Sequence, residues 1–410
     1  MVSLRIKNIG PVKDSGIIQL TSFLLLIGRQ SSGKSTFMKV LCYCRWLEKH
    51  IMTSTEDIVT AYTHNQKFLK ELKQFHRMND DFFSKESLIE YVGDTLSITL
   101  TGDNGNPKIL RNADYKESRF NSKLCFIPAE RNLITAVKDI DKAYKSSERD
   151  VLFNFVYEWD EGKNHYDAAH PMRLSVTDSY QYINDAGNDK ILMPNGKPIL
   201  EYYASSGLQS VAPIDVLSDY VTGCVGTSKK FTKNDLSLLI MEYLNGVNGG
   251  QKTIDASTMT EDAIKEISKR LIYQSSQLFI EEPEQNLYPD SQKLLVLNLI
   301  KRLVKANKTG EKDSSIVLTT HSPYVLSVLN VLMSWATAVE KKQDSEELMQ
   351  MFSLDLLLAS EQYSAYYIDE TGTFRNIKDA EIPMFSGNEL DGVSDWVEEK
   401  ISAINNIVYE

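Results

Sequence analysis

Eight residues constrain this chain more than any others: Gly28-Arg29-Gln30-Ser31-Ser32-Gly33-Lys34-Ser35. An apolar run from Phe23 to Ile27, reading as a buried strand, delivers them. After them Phe37, Val40, Leu41, Cys44 and Leu47 recur at the three-four spacing of a helix. A strand, a glycine loop and a helix in that order build a cradle whose backbone N–H groups wrap a phosphate, and glycine is required where a Cβ would block that approach. The helix adds the positive end of its dipole. Lys34 would set a compact charge at the β- and γ-phosphates of a nucleotide, and Ser35 would offer its hydroxyl to Mg²⁺. Gly28, Ser31, Ser32, Gly33, Lys34, Ser35 and Thr36 are therefore the expected nucleotide contacts. A chance glycine loop would not need the flanking strand and helix.

Three later segments carry chemistry that suits such a cradle. Leu278-Phe279-Ile280-Glu281-Glu282-Pro283-Glu284 reads as an apolar strand delivering two adjacent carboxylates. One can hold a metal shell, the role expected of Glu281, while the other orients or deprotonates a water, the role expected of Glu282. Alone, an acidic cluster at a strand end is ordinary surface. Thr319-Thr320-His321-Ser322-Pro323 follows another buried strand, and a histidine at a strand's carboxyl end can hydrogen-bond a γ-phosphate and register its loss. Between these lies Tyr203-Ala204-Ser205-Ser206-Gly207-Leu208-Gln209-Ser210, in which Ser205, Ser206 and Gly207 offer hydroxyl and N–H groups to an anion at a helix start. Without company the same residues would be a plain N-cap.

Bulk properties narrow the class. The chain has 410 residues, 42% hydrophobic and 25% charged, the composition of an ordinary globular protein. No window approaches the roughly 18 consecutive apolar residues of a membrane helix. The N-terminus lacks the charged-then-apolar pattern of a signal peptide, so a cytoplasmic, membrane-free protein is expected. A net charge of −11 argues against a surface coated for non-specific nucleic-acid binding. Lys301, Arg302, Lys305 and Lys308 form one modest basic cluster, read as a solvated helix face. Cys42, Cys44, Cys125 and Cys224 are too few and scattered for a disulfide framework or a metal set, and read as inert thiols.

Along the chain, Ser3 to Ile6 alternates and is punctuated by Asn8 to Pro11, a strand and turn. Residues 52–92 read as mostly helical, and Leu96 to Thr101 followed by Gly102 to Pro107 as a hairpin. Lys123 to Ile127 is a buried strand; 130–195 carries no clear period. Helices are expected from Gly207 to about Tyr220, at 233–245, at 259–273, from Ser291 to Ala306, from Pro323 to Lys341 and near 391–407. A second hairpin is expected around Asp369 to Gly372.

The order of phosphate loop, Ser-Ser-Gly-x-Gln, Glu-Glu-Pro-Glu and Thr-His-Ser-Pro resembles the ABC ATPase superfamily in its non-transporter branch, which includes RecF, SMC and OLD-type ATPases. Ile6 to Val12, Phe126 to Arg131 and Glu282 to Pro289 look like the OLD-type group. The resemblance covers about residues 1–335. It implies an α/β fold: an ABC-ATPase head with a P-loop mixed sheet, an inserted helical lobe and a short C-terminal α/β extension. The implied boundaries are 1–50, 95–130 and 275–335 for the core lobe, 51–94 for a helical insertion, 131–274 for a helical lobe with the signature, and 336–410 for the extension.

It also implies ATP with Mg²⁺ held by Ser35 and Glu281, hydrolysis served by Glu282 and His321, and Ser205 to Gly207 acting in trans on the nucleotide of a second subunit. A homodimer or higher even-numbered oligomer follows. Pro283 to Pro289 would cross the dimer seam. Phe126 to Arg131 lies where relatives couple nucleotide to the helical lobe, yet has no clear glutamine, and no role is assigned to Glu130 or Arg131. Full OLD nucleases append a Toprim domain whose Asp-x-Asp set does not occur in 336–410. The expectation is a stand-alone ATPase subunit, similar to those of bacterial anti-phage systems, that controls a separate effector protein, a nuclease. The alternative is a RecF-like DNA-repair ATPase clamping duplex DNA, which leaves nucleic acid open as a partner.

Overall fold

The computed structural model describes the chain apart from residues 55–57, 113–119, 137–149, 178, 228–271, 343, 388–396 and 403–410. In its first third the strands are β1 (Ser3–Ile9), β2 (Val12–Asp14), β3 (Ile18–Gln19), β4 (Phe23–Gly28), β5 (Phe83–Val92), β6 (Leu96–Thr101), β7 (Lys108–Arg111) and β8 (Ser122–Ile127). Four short strands follow: β9 (Met172–Arg173), β10 (Gln181–Asp185), β11 (Asn188–Leu192) and β12 (Pro198–Leu200). The last are β13 (Ser275–Glu281), β14 (Ser315–Thr320), β15 (Tyr363–Ile368) and β16 (Phe374–Asn376).

The central sheet runs β16-β15-β4-β14-β13-β8, parallel from β15 to β8 with β16 antiparallel at the edge. Every residue of β4, β13 and β14 is buried, as expected of strands covered on both faces. Alternate residues of β4 divide between two cores. Phe23, Leu25 and Ile27 meet Leu278, Ile280, Ile316 and Leu318, together with the helices Ser206–Gly223, Pro289–Thr309 and Pro323–Lys341. Leu24 and Leu26 meet the Lys34–Thr53 helix and the antiparallel sheet β2-β1-β5-β6-β7. The result is a mixed α/β fold with a largely parallel central sheet between two covering layers.

Three expectations change. Residues 51–94 are not a helical insertion throughout: helices Val59–Thr63 and Lys67–His76 are followed by β5, which pairs antiparallel with β1 and β6. The reason is alternation, with Ser87, Ile89 and Tyr91 buried and Glu90 and Val92 exposed. The lobe assigned to 131–274 contains the sheet β12-β11-β10-β9 besides the helices Val151–Lys163 and Ser206–Gly223. Its hairpin turns through Ala186 and Gly187, both left-handed, in the two-residue loop that matches strand twist. The core sheet is not confined to 1–50, 95–130 and 275–335, because β15, from the extension expected at 336–410, lies beside β4 and buries Tyr363, Ala365 and Ile368. The helix expected at 233–245, nearly all of that at 259–273 and both ends of that at 391–407 lie outside the described residues; residues 397–402 are helical.

The hairpins β6–β7 and β15–β16 form where expected. In the basic cluster Lys301, Lys305 and Lys308 are exposed, but Arg302 is buried and paired with Asp215 at 2.8 Å. Cys42, Cys44 and Cys125 are buried and unbridged, and burial raises all three thiols. No helix among the described residues is long and apolar enough to cross a membrane.

His76 closes the Lys67–His76 helix fully buried, its ring against Phe75 and Phe126, with neither ring nitrogen hydrogen-bonded. Burial pushes its pKa well below 6.5, and Lys39 adds to the effect. The unfolded chain therefore takes up a proton near pH 6.5 that the folded chain refuses. Stability should be full above that pH and fall below it by up to about 1.4 kcal/mol per pH unit from this group. Melting temperatures of wild type and His76→Phe between pH 5 and 8 should diverge in slope only on the acid side. Parallel profiles would refute the assignment.

Candidate functional site

The carboxyl ends of four neighbouring parallel strands meet at one edge of the central sheet. The phosphate loop leaves β4, His321 follows β14, Glu281 ends β13 and the turn Ala129–Asn132 follows β8. Open α/β sheets collect their ligands at this kind of edge.

Packing explains the loop's two glycines. A Cβ on Gly28 would lie 2.4 Å from the Ile368 carbonyl oxygen. Gly33 is left-handed at φ 106°, and a Cβ there would lie 2.5 Å from the Val12 side chain. Gly33 is the N-cap of the Lys34–Thr53 helix, and no side chain caps it, so first-turn N–H groups face the loop unclaimed by a cap. Lys34 is buried, its Nζ donating to the carbonyls of Gly28 at 2.9 Å and Arg29 at 2.6 Å. Burial pulls its pKa down to about 8, opposed by the charges of Glu282 and Glu284. Ser31 is left-handed and exposed, Ser35 is half-buried and Thr36 is buried. Arg29, outside the cradle, pairs with Glu370 in the β15–β16 hairpin.

Glu281 is buried and sits opposite Thr319 of β14. One carboxylate oxygen accepts from the Ala129 N–H at 3.3 Å. Burial raises its pKa, while Lys39, the Ser35 hydroxyl and that N–H lower it. The next residue turns sharply: Glu282 adopts φ 45° and donates its N–H to the Thr319 carbonyl at 2.9 Å. Its carboxylate comes within 3.5 Å of His321 Nε2, and the His321 N–H donates to Glu284 Oε1 at 2.7 Å. Both carboxylates of the expected pair and the expected histidine therefore meet beside the cradle.

Buried polar atoms without a hydrogen-bond partner gather here. Ser32 Oγ, Glu281 Oε1, Glu284 Oε2, Gln285 Oε1 and Thr319 Oγ1 are all in that condition. Oxygens left unpartnered between a phosphate loop and two strand ends suit a ligand. An oxygen-lined site with an unused carboxylate oxygen beside the Ser35 hydroxyl fits a hard divalent cation arriving with phosphates.

Ser205 to Gly207 are not part of this edge group but form the start of the Ser206–Gly223 helix beside it. Ser205 occupies the N-cap of the Ser206–Gly223 helix, yet its side chain makes no capping bond, unlike the plain cap it could have been. Gly207 packs on the loop from Pro283 to Pro289, where a Cβ would lie 2.9 Å from the Asn286 carbonyl oxygen. Ser205 and Ser206 are exposed.

Sequence reasoning left Arg131 without a role. It is fully buried, and its guanidinium donates to the Ser210 carbonyl at 3.0 Å, the Ser210 hydroxyl at 2.9 Å, the Glu281 carbonyl at 2.9 Å and the Glu282 carbonyl at 2.8 Å. Burial pulls its pKa down to about 10, against the charges of Glu284, Glu282 and Glu281.

Among solved structures, the chain is similar to the SMC head domain from Thermotoga maritima, at 12% identity and TM-score 0.36, over 80% of this chain and 90% of that one. It is similar to an Smc head domain from Pyrococcus furiosus with an extended coiled coil, bound to the C-terminal domain of ScpA, at 8% identity and TM-score 0.37, over 97% and 100%. A dimeric bacterial ABC transporter cassette aligns at 9% identity and TM-score 0.28, over 91% and 96%. No curated protein sequence matches. The model of the AAA ATPase domain matches residues 107–326, more than half of the 410, and the chain belongs to that family.

Proposed function

We propose that this chain hydrolyses ATP at a composite site, with Ser205 to Gly207 of a second copy closing on the nucleotide held by Gly28 to Thr36. The observation that carries the reading is the group of orphaned buried polar atoms between the phosphate loop, Glu281 and Thr319. In this mechanism Lys34 and the first-turn N–H groups hold the β- and γ-phosphates. Glu282 orients a water and takes its proton as the water oxygen bonds to the γ-phosphorus and the bond to the β-phosphate bridging oxygen breaks. His321, held near Glu282, hydrogen-bonds the γ-phosphate and senses its departure. Mg²⁺, held by Ser35 and Glu281, would neutralise charge on the phosphate oxygens.

Dimerisation draws support from the exposed surface. Tyr202 and Tyr203 precede Ser205, Tyr288 ends the loop beside Gly207, and Tyr324 follows His321; all four are exposed. Exposed aromatics beside an incomplete site suit a face that a partner covers. The closed dimer would gate a separate effector, a nuclease, in anti-phage defence; that part rests on the resemblance in architecture to stand-alone ATPase subunits, not on a residue match to one system.

Mixing defective subunits tests the composite site. Lys34→Ala and Ser205→Arg should each be inactive alone. An equal mixture should recover about a quarter of wild-type turnover, because half the dimers are mixed and each has one intact site. If no mixing ratio gives turnover while wild type is active, closure in trans is wrong.

A further inference from the structure

We infer that Arg131 is a positioning residue that joins the Ser206–Gly223 helix to the Glu281–Glu282 turn, so that the two move as one body. The inference rests on the hydrolytic reading above for the role of Glu282, but the joint itself is read from hydrogen bonds alone.

Three segments remote in sequence meet on one guanidinium. Arg131 belongs to the turn after β8, Ser210 lies one helical turn beyond Ser206, and Glu281 ends β13 with Glu282 next after it. The four acceptors are two carbonyls at the end of β13 and both oxygens of Ser210. No carboxylate takes part, so the side chain is a strut between backbones rather than half of an ion pair. Its fork of fixed N–H directions specifies the separation of helix and strand end, which a lysine ammonium cannot do. The turn from Ala129 also reaches the other side of Glu281 through its N–H.

The strand end it grips is the strained one. Glu282 is left-handed at φ 45°, a conformation that crowds any residue with a Cβ. Three bonds hold its main chain there: its own N–H donates to the Thr319 carbonyl, and its carbonyl accepts from Arg131 and from the Gln285 N–H. That turn points the Glu282 carboxylate at His321. A displacement of the helix carrying Ser205 to Gly207 is therefore passed through Ser210 and Arg131 to the main chain of Glu282. A second arginine, Arg302, ties the middle of the same helix to the Pro289–Thr309 helix through Asp215 and Ser218, so the helix answers as a rigid element.

Arg131→Lys and the milder Ser210→Ala test the joint by two readouts. In steady-state kinetics Arg131→Lys should keep ATP affinity within about threefold and lower kcat by about 30- to 100-fold, the scale of a slightly misplaced catalytic group. Ser210→Ala should lower kcat less, and the double variant should be no worse than Arg131→Lys, as for residues in one network. In hydrogen exchange, ATP should alter protection at both 206–213 and 281–287 in wild type, but only at 281–287 in Arg131→Lys. Equal response of both segments in Arg131→Lys would overturn the inference. So would affinity and kcat falling together with the melting temperature in both single variants, which would mark Arg131 as merely structural. A wild type that binds ATP without turnover would overturn the hydrolytic reading instead, and the exchange comparison would still decide the joint.

Discussion

Glu282→Gln is expected to lower ATP turnover by about 10²- to 10⁴-fold, the range a general base contributes, while ATP binding persists. The substitution keeps shape and removes only the charge and the ability to take a proton. The fold should survive the change: the carboxylate is partly exposed, and the turn that presents it is held by main-chain bonds to Thr319 and Arg131. Lys34 feels the loss, since Glu282 raises its pKa, so affinity is best compared at several pH values below 8.

With hydrolysis blocked, the ATP-bound state should accumulate, and light scattering should report a doubled mass on addition of ATP and Mg²⁺. That outcome supports closure of two copies around nucleotide. A mass already doubled without nucleotide means constitutive assembly, with ATP acting inside it. A persistent monomer that still binds ATP would defeat the homodimer and direct attention to another protein or to DNA. Turnover at the wild-type rate would remove Glu282 from the mechanism altogether.

The parts of this site that could be read in advance are those in which one short segment carries its own geometry. Gly28 to Ser35 needs only itself, a strand before and a helix after. Continuous apolar runs identified β4, β13 and β14 because strands covered on both faces leave no polar alternation to misread. Where the signal was spread or weak, it was missed. The helical spacing of Phe68, Leu69 and Leu72 dominated residues 52–92, while β5 alternates through a buried serine, Ser87, which carries little hydrophobic signal. Strands β9 to β12 are two to five residues long and turn through Ala186–Gly187 rather than Asn-Gly. Charge runs mislead for a similar reason. Lys301, Lys305 and Lys308 share one helix face, but Arg302 is rotated onto the buried side, where Asp215 waits. Arg131 is harder still, because a lone arginine after a strand has no pattern until the fold shows its four acceptors.

Lys34→Ala is expected to weaken ATP binding by at least about 10²-fold, to the limit of calorimetric detection, since a desolvated charge pair is worth several kcal/mol. Without nucleotide, the ammonium sits on the carbonyls of Gly28 and Arg29, so it also braces the loop it serves. Its depressed pKa supplies a check on the same residue that does not require a variant. Free protein holds Lys34 with a pKa of about 8, and triphosphate beside it must raise that value. Binding therefore draws a proton from solution, and affinity should fall as pH rises above 8, by up to about tenfold per pH unit until the pKa of the bound state is reached. Calorimetry in buffers of different ionisation enthalpy should show that uptake near pH 8 in wild type. Tight ATP binding by Lys34→Ala would sink the phosphate-loop assignment. Wild-type affinity unchanged from pH 7 to 9.5 would instead leave the loop in place and show that Lys34 stays charged within it.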